Sequence, residues 1–490
     1  MTSEPTSPER PTRLDGASLD IEGLVRIARG GPVATRIDPE VEERMRRSRR
    51  VVEDVVSDDR PVYGVNTGFG KLSDVRVGRD RLRELQANLV RSHACGVGEP
   101  LDREEVRALM ALRANVLLRG CSGVRPEVPR LLLRMLEADV LPRVPREGSV
   151  GASGDLAPAA HVALVVIGEG EVLDPGGAAD GGEALRKAGL EPLRLEPKEG
   201  LALLNGTQGM TALGALALHR AERLVELADL AGALSLDGLR GTPDAFDPIV
   251  GEVRPHPGHR ASAARLRALV KGSEIRESHR HGDPRVQDAY SLRCMPQVHG
   301  TTADTVAHVR SVLEIELNAV TDNPLVVAEE AGGPRVISNG NFHGQPVATA
   351  LDQLTTALAT LAGISERRID RLLNPDLSGL PAFLTPEPGL RSGMMMMQVT
   401  AASQVAECRH LAHPISVASI PTGAAKEDHV SMGMHAADQA GRAVRCVERI
   451  LAVELLAAAQ AIELLRPLGT SPPLERALEV LRGMDVRRKL

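Results

Sequence analysis

Apolar residues recur every three to four positions over long stretches of this chain, with polar residues confined to narrow faces, which is the spacing of helices that pack on several sides. Runs of this kind extend over Thr207 to Leu234, Thr302 to Val320, Pro346 to Leu372, Met394 to Leu411 and Ser431 to Leu465. Another opens at Asp102, with Glu105 three positions later as a capping box would place it, and continues to about Leu118. Strand signals are few: Leu325 to Val327 and Arg335 to Ser338 predict a hairpin around Gly332-Gly333-Pro334, and Asp174 to Gly182 predicts a glycine-rich loop. No repeat of solenoid period is visible. The pattern predicts a mainly α fold. A bundle of long helices over 206–490 follows a smaller, mixed N-terminal region over 21–205, and a polar, proline-rich lead over 1–20 is expected to be disordered.

Composition narrows the partners. The most apolar late run, Ile450 to Leu465, is broken by Glu454, Gln460 and Glu463 and predicts a buried bundle helix rather than a membrane span. The lead lacks the apolar segment of a secretory signal. A net charge of −6 with both signs mixed throughout argues against a nucleic-acid surface and leaves a small anionic or zwitterionic partner open. Five cysteines, at 95, 121, 294, 408 and 446, form no CxxC pair, so a reducing cytoplasm is the expected setting. Among 490 residues there is no Trp, and there are only two Tyr and four Phe. Packing is thus left to Leu, Val, Ala and Met, and Tyr63 and Tyr290 stand out as groups kept for chemistry.

The segment Gly148-Ser-Val-Gly-Ala-Ser-Gly-Asp155 can make an electrophile from its own backbone. If the Gly154 nitrogen attacks the Ala152 carbonyl and Ser153 loses its hydroxyl, two waters leave. The product is a 4-methylidene-imidazol-5-one ring whose methylene accepts nucleophiles. Glycine suits the attacking position because it lacks a Cβ. On its own the tripeptide reads as a small-residue turn ahead of a helix, with Asp155 either aiding cyclisation or capping that helix. Gly154-Asp155, Asn205-Gly206-Thr207 and Gln345-Pro346 each stand before a helical run. If those helix starts converge, their free N–H groups favour negative charge developing between them. The segment lacks the Lys-Ser/Thr ending of a phosphate loop. His410 with His413, and His256 with His259, have a spacing that metal sites use, but no Cys or carboxylate set completes one, and no metal is expected.

Eight ordered blocks carry a resemblance over about Tyr63 to Met434: YGVNTGFGKL from Tyr63, LQANLVRSHACGVGEPL from Leu85, GSVGASGDLAPAAH from Gly148, EGLALLNGTQ from Glu199, VQDAYSLRCMPQVHG from Val286, ELNAVTDNPL from Glu316, SNGNFHGQPVA from Ser338 and AHPISVASIPTGAAKEDHVSMG from Ala412. In these the chain resembles the aromatic amino acid ammonia-lyase and aminomutase family, and within it the histidine-acting members. The resemblance implies that Ala152, Ser153 and Gly154 form the ring, with no diffusible cofactor. It further implies that Tyr63 is the base that takes the substrate's β-proton, its phenol brought down by a positive field, and that Tyr290 supports the ring and the reacting centre. Arg293 would clamp the substrate carboxylate, Asn205 and Gln287 would bond that carboxylate or the ring, and Phe342 would form a wall. His93 and Glu427 would read an imidazole. The implied reaction is non-oxidative deamination of L-histidine to trans-urocanate and ammonia, in a homotetramer whose sites are shared between subunits. Ala289, the RHGDPR stretch from Arg280 and Gln345 depart from the histidine pattern and keep tyrosine or phenylalanine lyase and aminomutase activities as alternatives. A non-catalytic helical scaffold, which would carry no ring, is the contrasting class. The tail from about Arg466 carries no motif.

Overall fold

The long apolar runs are helices in the computed structural model, which describes residues 10–58, 60–283, 285–328 and 332–484. They span Arg103–Leu118, Gln208–Gly238, Met295–Glu316, Gln345–Leu373, Met395–Leu411 and Gly433–Leu464. Local chemistry sets their ends. Asp102 accepts from the Glu105 amide at 2.9 Å while Glu105 accepts from the Asp102 amide at 2.8 Å, which is the reciprocal capping box. The helix expected from Thr302 begins earlier, at Met295, with Pro296 in its first turn, where a missing N–H leaves no bond unmade. Helix Gln345–Leu373 is long and apolar enough to cross a membrane, but its apolar positions, among them Val347, Leu351, Leu354, Leu358 and Leu361, are buried in protein.

Two compact units make up the chain: one of residues 1–219, 310–351 and 415–438, the other of 220–309, 352–414 and 439–490. The boundary expected near 205 does not coincide with this division. Helix Gln208–Gly238 gives its first turns to the first unit and the remainder to the second, and later segments return to the first. A cut made in chain order cannot anticipate such returns.

In the first unit, helix Arg103–Leu118 is buried from Val106 onward and packs on helices Ile21–Ala28 and Glu127–Glu137. Helices Leu82–His93, Leu156–Val166 and Glu199–Leu204 pack on one another beside it. Of the expected disordered lead, residues 1–9 lie outside the described residues, whereas the remainder is folded. Leu14 and Leu19 are buried, Thr12 pairs with Val33, and Asp20 caps helix Ile21–Ala28. The hairpin of Leu325–Val327 with Arg335–Ile337 forms in antiparallel register, Leu325 facing Ile337; part of its connection lies outside the described residues. The expected loop at 174–182 is instead a second hairpin, Glu171–Asp174 with Gly177–Asp180, running into a short helix. Asp174 drives that turn by accepting from the Gly176 amide at 2.9 Å.

The second unit packs its helices through small residues and a buried polar network. A Cβ added at Gly258 would lie 2.1 Å from the Gly300 carbonyl oxygen, so helices Pro257–Val270 and Met295–Glu316 touch backbone to backbone. Arg368 and Glu454, both fully buried, pair at 2.5 Å, and Arg368 also bonds the Ser291 carbonyl at 3.3 Å. A buried pair of this kind adds little net stability but strongly penalises loss of either partner, by about 3–5 kcal/mol.

Candidate active site

The ring-forming tripeptide sits on a tight turn in the first unit. Gly154 donates its amide to the Gly151 carbonyl at 3.3 Å, folding the chain back over Ala152 and Ser153. Ser153 has φ 52°, a left-handed conformation that costs an L-residue roughly 1–2 kcal/mol. A Cβ at Gly154 would come within 2.1 Å of the Gly206 carbonyl oxygen, so only glycine fits there. The Gly206 amide donates to the Ser153 carbonyl at 3.2 Å, and Asn205 Nδ2 donates to the same oxygen at 3.3 Å. Two donors therefore hold the oxygen that would become the ring carbonyl. A turn that returns the Gly154 nitrogen to the Gly151 carbonyl, an attacking residue free of a side chain and a Ser153 carbonyl that accepts two hydrogen bonds all fit the self-made ring.

Helix starts do converge here. Gly154 pairs with Gly206, joining the turn before helix Leu156–Val166 to that before helix Gln208–Gly238. A Cβ at Gly344, just ahead of helix Gln345–Leu373, would lie 2.3 Å from Met210 Sδ, and one at Gly433, the first residue of helix Gly433–Leu464, would meet the same sulfur at 2.3 Å. A fourth helix start thus joins the three expected. Asp155 does not cap its own helix; its Oδ2 accepts from the Met210 amide at 2.7 Å, so it caps the neighbouring helix. Complete burial pushes its carboxyl up to about 7, against the Met210 amide, Arg113 and Ser149, which pull it down.

Against this turn lies a cavity of about 540 Å³ lined by Tyr63, Ala152, Ser153, Asn323, Phe342, His343, Glu427 and His429, among others. Volume and lining suit a small amino acid. Tyr63 makes an edge contact with Phe69 at 6.4 Å between ring centroids. Its phenol contradicts the expected positive field. Burial pushes it above its ordinary value, the Gly70 amide opposes, and the carboxylates of Glu427 and Asp322 raise it further. Glu427 accepts from Thr422 Oγ1 at 2.8 Å, which fixes the carboxylate at the cavity wall. His93 ends helix Leu82–His93 with its Nδ1 2.8 Å from the Leu89 carbonyl. Burial lowers its pKa while the Leu89 carbonyl and the Glu427 charge raise it.

Asn205 is buried with its amide nitrogen on the Ser153 carbonyl and its Oδ1 without a partner among the described residues. Gln287, Tyr290 and Arg293 belong to the second unit and are not among the cavity's lining residues. Tyr290 is 71% exposed, and the Arg293 guanidinium lies 4.5 Å above its ring. Asn323, His343 and His429 are among the lining residues that were not singled out by sequence. Asn323 bonds the Asn339 amide at 2.8 Å, and His343 stacks on His429 at 5.8 Å and 5° between planes. All three stand inside the resembling blocks, so their position in GNFHG, KEDHV and TDNP was the available signal.

The sequence model of the family described as aromatic amino acid lyase matches residues 19–483. The chain is 55% identical to the histidine ammonia-lyase of Anaeromyxobacter sp. (strain K), covering 95% of this chain and 92% of that protein. It is 50% identical to that of Myxococcus xanthus (strain DK1622), covering 97% and 94%. Among solved structures it is similar to histidine ammonia-lyase from Trypanosoma cruzi, with TM-score 0.88, 44% identity and coverage of 97% and 89%. It is also similar to tyrosine aminomutase from Streptomyces globisporus, with TM-score 0.90, 40% identity and coverage of 97% and 92%.

Proposed function

The chain belongs to the aromatic amino acid lyase family, and from that premise we propose that it is a carbon–nitrogen lyase converting L-histidine to trans-urocanate and ammonia. The observation that carries this reading is that Ser153, Tyr63 and the carboxylate of Glu427 line one cavity. The ring that Ala152, Ser153 and Gly154 would supply offers an electrophilic methylene carbon, activating an amine that is otherwise a poor leaving group.

Each remaining task falls to a side chain. Asn205 and the Gly206 amide hold negative charge on the Ser153 carbonyl oxygen, as an oxyanion hole does. Tyr63 handles the β-proton. A phenol held above its ordinary value of about 10 is a strong base when ionised and a neutral donor otherwise. The Gly70 amide supports the ionised form, and a cationic substrate amine would support it further. Glu427 orients an imidazole or takes its proton, which a phenyl ring cannot use. Phe342 and the stacked His343 and His429 complete the wall. Arg293 and Gln287 would bind the substrate carboxylate from a neighbouring copy in a homotetramer, a role to which the exposure of Val286, Gln287 and Tyr290 is suited. A reducing cytoplasm suits five free thiols.

Products decide the substrate. Purified protein should release urocanate from L-histidine far faster than cinnamate or coumarate from phenylalanine or tyrosine, and Glu427→Gln should cut histidine turnover about 10²-fold, the scale of a lost proton-transfer group. Dominant turnover of tyrosine or phenylalanine, or a β-amino product with little ammonia, would assign the cavity to the lyase or aminomutase alternatives.

The phenol is separately measurable because the chain has only two tyrosines and no tryptophan. Ultraviolet titration of Tyr290→Phe, in which Tyr63 is the remaining phenol, should show ionisation above about pH 10. Adding Glu427→Gln should bring it down, because a neighbouring negative charge is removed. A phenol that ionises well below its ordinary value would restore the positive-field expectation.

A further inference from the structure

Arg113 stands in the middle of helix Arg103–Leu118, in the sequence ALRANVLL, and with Arg368 is one of the two largest fully buried side chains among the described residues, at 1% exposure. Burying a guanidinium is costly unless its donors are met. Here they are met by carbonyls: Asn205 at 2.6 Å, Ala202 at 3.1 Å and Leu204 at 3.3 Å, with Nε left without a partner among the described residues. These carbonyls end helix Glu199–Leu204. Asp322 and Asp155 act on it through space alone, and burial brings it down to about 10, so it stays charged at neutral pH.

A helix cap explains the bonds to Ala202 and Leu204. The shortest bond does something further. Asn205 C=O and Gly206 N–H are the two ends of one peptide unit: Arg113 donates to its oxygen at 2.6 Å, and its N–H donates to the Ser153 carbonyl at 3.2 Å. A cation on the oxygen of an amide draws electrons from its nitrogen and makes the N–H a stronger donor, since hydrogen bonds in series polarise one another. The same bond positions Asn205, whose side chain is the second donor to that carbonyl.

Resting on the reading of Ala152-Ser153-Gly154 as the ring precursor, we propose that Arg113 is a positioning residue. Its charge, relayed through the Asn205–Gly206 peptide, activates the Ser153 carbonyl for ring formation and for turnover. In ring closure the Gly154 nitrogen bonds to the Ala152 carbonyl carbon. The Ala152 oxygen leaves as water with the Gly154 N–H and Ser153 N–H protons, and a C=N bond remains. The Ser153 hydroxyl leaves as the second water with the Ser153 Cα proton, giving the methylidene double bond. That Cα–H is α to the Ser153 carbonyl, so withdrawing electrons through the carbonyl oxygen makes it more acidic. No oxidant or reductant is consumed.

The test compares wild type, Arg113→Lys and Arg113→Gln by intact mass, thermal denaturation and steady-state kinetics. In Arg113→Gln the fraction of chains lighter by two waters should fall, and kcat per ring-bearing chain should drop about tenfold with KM within about twofold. That loss is smaller than the 10²–10³ of deleting an oxyanion donor, because the donor is weakened rather than removed. Arg113→Lys, which keeps charge but not the fork, should fall between. A purely structural cap would lower thermal stability while leaving ring content and kcat of the folded protein at wild-type values, and that result overturns the proposal. Should Arg113→Gln not fold, Arg113→Lys decides: complete ring and wild-type kcat overturn it, a reduced ring fraction or kcat supports it. A wild-type protein that has lost no water would instead overturn the ring reading on which the assignment rests.

Discussion

Ser153→Ala should fold yet lose on the order of 10³-fold or more of its turnover, the scale on which removing a central catalytic group acts. The substitution deletes one hydroxyl and leaves the Ser153 backbone, whose carbonyl receives Asn205 Nδ2 at 3.3 Å and the Gly206 amide at 3.2 Å. Alanine can occupy the φ of 52° at about the same cost as serine. What disappears is the leaving group, and with it the methylidene carbon. Steady-state assay of a purified variant with an unchanged melting temperature checks this. Turnover at the wild-type rate would mean that the cavity works without the ring.

Tyr63→Phe carries the second largest effect. It keeps the aromatic body and the edge contact with Phe69 at 6.4 Å, and it removes the one phenol that lines the cavity beside Ser153. Turnover should fall about 10²–10⁴-fold, the usual contribution of a positioned acid or base. The ring should still form and KM should change little, because the β-proton is handled after binding. Losing the acceptor for the Gly70 amide costs about 1 kcal/mol, too little to unfold the chain. Unchanged turnover would reassign Tyr63 to packing and move the proton transfer to another lining group, with His343 and His429 next to be tested.

The helices were legible because their starts carry chemistry that acts over three or four residues. Asp102 and Glu105 announce one helix, and the ends of helix Gln345–Leu373 fall within one residue of the apolar run. Interactions across space were not legible in the same way. A local rule gives Asp155 to the helix that follows it, but the fold gives it to the Met210 amide of another helix. Residue type marked Tyr63 for chemistry, whereas the direction of its ionisation depends on burial and on Glu427 and Asp322, which lie hundreds of residues away in the chain. Gln287, Tyr290 and Arg293 were marked by their block, yet a block says nothing about which cavity it serves. Arg113 was the most concealed. An arginine inside a run of alanine and leucine is visible in the sequence, but the carbonyls of Ala202, Leu204 and Asn205 that explain it are not.

Conversion of Ala152-Ser153-Gly154 into an electrophile is tested by the mass of the wild-type protein, without reference to substrate or rate. Intact-mass spectrometry of the purified chain, followed by fragmentation of the peptide containing residues 148–155, should find a species lighter than its sequence by two waters, with the loss confined to those three residues. A chain whose mass equals its sequence would contradict the account.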